Sequence, residues 1–262
     1  IMLAPVQTSA SLVWTTAMSG VSEEMHGILS DLEYGPGGLS GQAVSQLSLR
    51  VPRVWEYADA QGLVSHVLGW PAALPAKINN GIMVANGVQH LDAGVKDVWP
   101  LHPESVYPKT WREQVLDYRI IADDISPAYV NDLLRFSNPA LAEKLKVPST
   151  LLLAQILSMH SLGIQMADDH NWQFLALRFD TLPLVYGLPF QINFDESPLS
   201  YFLGWYKLID AMLGKYMSYL ADSDYLMLLS ERGVPQVLTG KPESIFTQQG
   251  PGALFTKGPD IH

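Results

Sequence analysis

The chain has 262 residues, 48% of them hydrophobic and 16% charged, with a formal net charge of −10 and a pI near 5.0. That apolar content excludes disorder, and the acidic balance argues against nucleic acid or an anionic membrane surface as main partner. The lack of cysteine excludes disulfides, thiol catalysis and thiolate metal sites, while leaving the compartment open.

The opening Ile1-Met2-Leu3-Ala4-Pro5 has no basic flank or cleavage pattern, so no signal peptide is expected. No unbroken run of about 18 apolar residues occurs, so no membrane span is expected either. Residues 8–20 begin with hydroxyl side chains and end at Gly20, which predicts a helix from about Ser11 to Ser19. The amides at such a helix start attract phosphate or carboxylate. Residues 33–41, rich in Gly and Pro, read as an exposed loop.

A short helix over 53–61, closed by Gly62, precedes an apolar strand over 63–68 that ends at Gly69-Trp70. His66 in that strand has no second histidine nearby and is expected to be a satisfied core residue; His26 is expected to pack or cap. Residues 71–108 are rich in Pro and Gly. With 109–146 they are expected to form an inserted lid over the sheet, within a single domain over 1–262. Ser126-Pro127 and Asn138-Pro139 read as helix starts. Asp123-Asp124 and Asp168-Asp169-His170 are metal-like only in composition, because neighbours on a helix point to different sides.

An apolar helix is expected over 147–162, starting at Pro148, and a buried strand over 172–179 with Asp180 at its end. Ser197-Pro198 opens the longest amphipathic pattern, its stripe running through Leu199, Phe202, Leu203, Tyr206, Ile209, Leu213, Met217 and Leu220. That helix leads into residues 225–230, an unbroken apolar run expected to be a strand buried on both faces of a parallel sheet. Ligands in open α/β sheets sit beyond the carboxyl ends of such strands, which puts Asp180, Glu231 and Arg232 at one candidate edge.

In order along the chain, these pieces resemble one superfamily. Trp14-Thr15-Thr16-Ala17-Met18-Ser19-Gly20 with His26-Gly27-Ile28, Gly69-Trp70, Pro75-Ala76 and Asn80-Gly81-Ile82-Met83-Val84 are similar to segments of alkaline-phosphatase-superfamily hydrolases. So are Arg178-Phe179-Asp180, Ile209-Asp210 with Leu213-Gly214, Ser230–Gly233 and the Lys241-Pro242 segment; the branch is that of type I phosphodiesterases and nucleotide pyrophosphatases. The resemblance implies an α/β fold with a mostly parallel central sheet flanked by helices, its first strand and its C-terminal end lying outside this chain. It also implies a pair of divalent metals, usually zinc, and a Ser or Thr nucleophile at a helix start.

The residues depart from that pattern. The nucleophile position falls on Ala10, flanked by Ser9 and Ser11. Of the ligands, Asp180 stays and Glu231 stands where the family has Asp; Arg232 and Leu184 stand where it has His. Two carboxylates without an imidazole make a poor zinc site, so no metal cofactor is expected. The expectation is therefore a silent binding or structural subunit, with a protein partner or a second copy, and with Arg232 holding a phosphate-like anion. The alternative is an active metal-dependent phosphoester hydrolase that uses Ser9 or Ser11.

Overall fold

The computed structural model describes residues 9–35, 40–87, 100–134, 139–169, 171–191, 199–231 and 252–261. Three short apolar runs build its centre: β3 (Ser65–Trp70), β4 (Gly81–Ala85) and β6 (Phe174–Leu177). β3 pairs in parallel with both β4 and β6, and the two-residue β5 (Val106–Tyr107) closes one edge antiparallel, giving the order β5-β4-β3-β6. The mostly parallel sheet expected from the sequence is present.

Alternation along these strands sorts their side chains onto two faces. Leu68, Ile82 and Val84 turn to Met159, Leu162 and Met166 of the long α6 (Pro139–Asp168). Val67, Met83, Ala85 and Ala176 turn the other way, to Trp55 of α3 (Val54–Ala60) and to Trp14 and Met18 of α1 (Ala10–Ser19). Strict alternation would send Trp70 to the α6 side with Leu68. A β-bulge at Gly69 adds one residue, pairs Trp70 with Ala85 and brings its indole to the opposite face. Gly69 has φ +75°, a conformation open to glycine.

The helix over 147–162 is longer than its composition suggested. It belongs to the 30-residue α6, which is described from Pro139 and has Pro148 in its interior, so Pro148 is not its start. Residues 142–168 meet the length and hydropathy of a membrane-crossing helix, at a mean hydropathy of 1.3. An expectation based on unbroken apolar runs passed over them, although 61% of that window is buried inside the domain. α6 packs against α5 (Pro127–Leu134), α7 (Thr181–Gln191) and α8 (Leu199–Met217) around a second core that includes Leu145, Leu152, Ile156 and Trp205. Residues 71–146, read as an inserted lid, supply β4 and β5 of the central sheet together with α4 (Arg112–Asp117) and α5.

Two expectations are corrected here. α8 exists where the pattern put it, but its buried side is Tyr201, Phe202, Trp205, Leu208 and Met212, while Leu203, Tyr206 and Met217 face outward. Two apolar stripes with helical spacing coexist on it, and the larger aromatic one won the core. The apolar run after α8 is β7 (Leu226–Ser230), and it is no part of the parallel sheet. It pairs antiparallel with β8 (Ala253–Lys257), with Met227 60% and Phe255 66% exposed. Five apolar residues specify a strand but not its partner. The two ends of the 33–41 segment lie in exposed strands, β1 (Leu32–Tyr34) paired antiparallel with β2 (Gly41–Ala43).

Candidate functional site

The carboxyl ends of β3 and β6 meet α1 at one edge of the sheet. The Arg178 guanidinium, following β6, lies 5.7 Å from the Trp14 ring of α1, and its Nη1 donates to the Gly69 carbonyl oxygen at 3.4 Å. Trp14 in turn meets Trp70 edge to face, with ring centroids 5.3 Å apart. Asp180 stands at this edge; the strand that was to bring Glu231 and Arg232 beside it, β7, is not part of this sheet.

Asp180 is held there by the protein itself. Its Oδ2 lies 3.5 Å from Arg178 Nη1, and its Oδ1 accepts from Gln155 Nε2 of α6 at 3.3 Å. The Gln155 carbonyl oxygen accepts in turn from the Thr181 hydroxyl at 3.4 Å, so the amide is oriented from both ends. Arg178 is 9% exposed and Asp180 38% exposed. A guanidinium keeps its proton at any ordinary pH, so the carboxylate here faces a permanent cation.

α1 begins as its sequence asks. Ser9 is the N-cap, its hydroxyl accepting from the Leu12 amide at 3.2 Å, and Gly20 closes the helix at φ +71°. Ala10 is the first helical residue and the Ser11 side chain is buried. The amide of Ser11 donates to Oδ1 of Asp31 at 2.9 Å. A carboxylate does occupy this helix start, as expected, and it is one of the chain's own.

Glu231 follows β7 in the separate two-stranded sheet, with Gly252 against its backbone. Arg232 lies outside the described residues, as do His170 and the Lys241-Pro242 segment. Leu184 sits on α7 with its side chain 40% exposed. The Asn80-Gly81 pair stands at the start of β4, at the opposite end of the strands, where Asp59 accepts from the amides of Asn79 and Asn80. Asp168 accepts from the Tyr219 hydroxyl and Asp169 pairs with His66, so the acidic pair serves two separate contacts.

Both singled-out histidines are structural, as expected. His26 Nδ1 accepts the Ile28 amide at 3.1 Å, leaving Nε2 to donate to the Thr16 hydroxyl oxygen at 2.9 Å. His66 Nδ1 accepts the Ile82 amide at 3.2 Å and Nε2 faces Asp169 at 3.3 Å. Burial holds both rings below the usual histidine pKa, and their carboxylate neighbours Glu23 and Asp169 pull the other way to a smaller degree.

The pair of divalent metals implied by the resemblance does not fit these residues. Asp180 is committed to a cation and an amide, Glu231 stands in another sheet, and no group of three or more His, Asp or Glu suited to a metal occurs among the described residues. Sequence reasoning missed Asp31 and Gln155 altogether and took Arg178 only as a neighbour of Asp180. Asp31 follows the His26-Gly27-Ile28 motif by three residues, and nothing in that spacing announces a bond back to α1.

No protein-family model matches the sequence, and no curated protein does. Two solved structures of the phosphonoacetate hydrolase from Sinorhizobium meliloti 1021, in complex with phosphonoacetate and with phosphonoformate, are similar to the chain at TM-scores of 0.46 and 0.48. Identity is 12% in both, over 88% of this chain and 46% of that one, so the chain spans about half the length of the structures it matches.

Proposed function

We propose that the chain is a catalytically silent relative of alkaline-phosphatase-superfamily hydrolases, using the sheet edge to bind rather than to cleave. The observation that carries this reading is the 3.5 Å pair of Arg178 with Asp180. A ligand carboxylate already neutralised by a guanidinium offers little to a divalent cation, and without the cations the charge of a phosphoryl transition state has no clamp. The capture of the Ser11 amide by Asp31 supports the same reading, since it puts a negative charge where a phosphate oxygen would dock. The alternative, a metal-dependent phosphodiesterase with Ser9 or Ser11 as nucleophile, has Ser9 engaged as a cap and Ser11 buried.

The binding role extends, in this reading, to a protein partner or a second copy of the chain, and the outward Met227 and Phe255 of the β7–β8 pair are in keeping with it. Arg232 keeps its assignment as the residue that holds a phosphate-like anion, and R232A should then abolish any thermal shift given by phosphate. The deciding experiment measures zinc and manganese in the purified protein and turnover of p-nitrophenyl phosphate and bis(p-nitrophenyl) phosphate with either metal added. Substoichiometric metal and no turnover are expected. Turnover lost on S9A or S11A would replace this reading with the hydrolase.

A further inference from the structure

One line of contacts on the α1 side of the sheet collects hydrogen-bond donors with nothing to receive them. Arg53 lies 4.6 Å from the Trp55 ring, Trp55 meets Trp70 at 5.4 Å, Trp70 meets Trp14 at 5.3 Å, and Arg178 lies 5.7 Å from Trp14. Along it, Nε1 of Trp55, Trp70 and Trp14 and Nε of Arg178 are buried without a hydrogen-bond partner among the described residues. Buried polar groups are almost always paired, and a run of orphans that can only donate marks the place of a group that accepts.

Arg53, at the inner end, is taken up by Glu56 and by the Ala72 carbonyl oxygen, to which its Nη1 donates at 3.0 Å. The outer end differs. Trp14 is only half-buried and Asp180 beside Arg178 is 38% exposed, so the residues at this end come to the surface although the donor atoms themselves lie beneath it. The bulge at Gly69 is what turns the Trp70 indole toward it.

We propose that Arg178, Trp14 and Trp70 form a subsite for a small monocarboxylate carried on a flat apolar or aromatic body. The proposal rests on the reading of this edge as one that binds without cleaving. The charge decides the class. The Arg178–Asp180 pair is already neutral, so an incoming anion adds net charge beside the Asp180 carboxylate: a monocarboxylate adds one, a doubly charged phosphate ester two, and the smaller repulsion favours the monocarboxylate. A planar carboxylate matches the guanidinium edge, and the indole N–H groups supply neutral donors beside aromatic walls.

The test uses the full chain with benzoate as probe, and acetate, chloride and inorganic phosphate at matched ionic strength, read by tryptophan fluorescence and thermal shift. Benzoate is expected to saturate and to raise the melting temperature by about 3 °C at ten times its Kd. W14F and W70F keep a ring and remove the N–H, and each should weaken benzoate by about tenfold. R178M should abolish the response; should it fail to fold, the two tryptophan variants decide. No saturable response of the wild-type protein to benzoate overturns the subsite, as does wild-type affinity in both W14F and W70F. Phosphate displacing benzoate with equal affinity overturns the ligand class. Metal-dependent phosphoester turnover would sink the silent reading instead, and is measured separately.

Discussion

Asp31 and Ser11 are joined by a single hydrogen bond, the Asp31 carboxylate accepting from the Ser11 amide at 2.9 Å. It ties the start of α1 to the segment that runs into β1, and it satisfies an amide that helix geometry leaves without a partner. D31A is expected to cost about 1–2 kcal/mol, as loss of a charged acceptor at a helix start does. D31N, which still offers an oxygen, should recover most of that. Urea unfolding checks it: the midpoint should fall in D31A with the slope unchanged.

Gly69 packs its Cα against the Arg178 backbone. A Cβ there would lie 2.7 Å from the Arg178 carbonyl oxygen and 2.5 Å from Met159 Cε, at a φ of +75° that side chains rarely adopt. G69A is expected to destabilise by about 2 kcal/mol or more. Because Trp70 and Arg178 must shift with it, the tryptophan emission of the folded protein should change as well. Wild-type emission and stability together would show that the close packing at Gly69 is not required.

Two glycines of α8 should answer the same substitution with opposite signs. At Gly204 a Cβ would collide with the Leu133 carbonyl oxygen where α5 crosses the helix, whereas at Gly214 nothing lies within 4 Å. G204A should therefore lose about 2 kcal/mol or more, and G214A should gain about 0.5–1 kcal/mol from helix propensity. The difference between their urea midpoints is the measurement.

His26 and His66 make folding sensitive to mild acid. Burial lowers both below the ordinary 6.5, and burial together with Lys215 does the same for His160. The unfolded chain takes up these protons near pH 6.5, the folded chain only at lower pH. The stability contributed by the neutral rings is therefore complete above pH 6.5 and is lost as pH falls through the lowered folded values. Unfolding at pH 6 should take up protons, and the urea midpoint should drop between pH 7 and pH 5. H26Q and H66Q should each reduce that drop. A midpoint that rises on acidification would contradict the assignment.

Elements whose boundaries rest on local chemistry were legible in the sequence. Ser9 and Gly20 bracket α1, Gly62 follows α3, Pro127 and Pro139 open α5 and α6, and β6 shows as a plain apolar run. What escaped depends on pairing at a distance. β7 is as apolar as β6 and differs from it in the strand it pairs with, and α8 offers two stripes of which packing selects one. The site divides in the same way. Asp180 could be placed at a strand end from local pattern, but its bond to Arg178 across one intervening residue, the reach of Gln155 from α6 and the return of Asp31 to α1 are properties of the folded chain.

The bulge in β3 has a consequence for insertions and deletions. Removing Gly69 outright, rather than replacing it, would let the pleat run on unbroken and leave the Trp70 indole next in line after Leu68, opposite Ala85 and still on the α1 side. Flattening the bulge with the residue kept would instead swing the indole through to the α6 side, among methionines and leucines. The aromatic line would then break in the middle and the orphaned donors would part company. The extra residue and the bulge that absorbs it thus offset each other, and it is the bulge, not the length of the segment, that sets which way the strand's last aromatic looks.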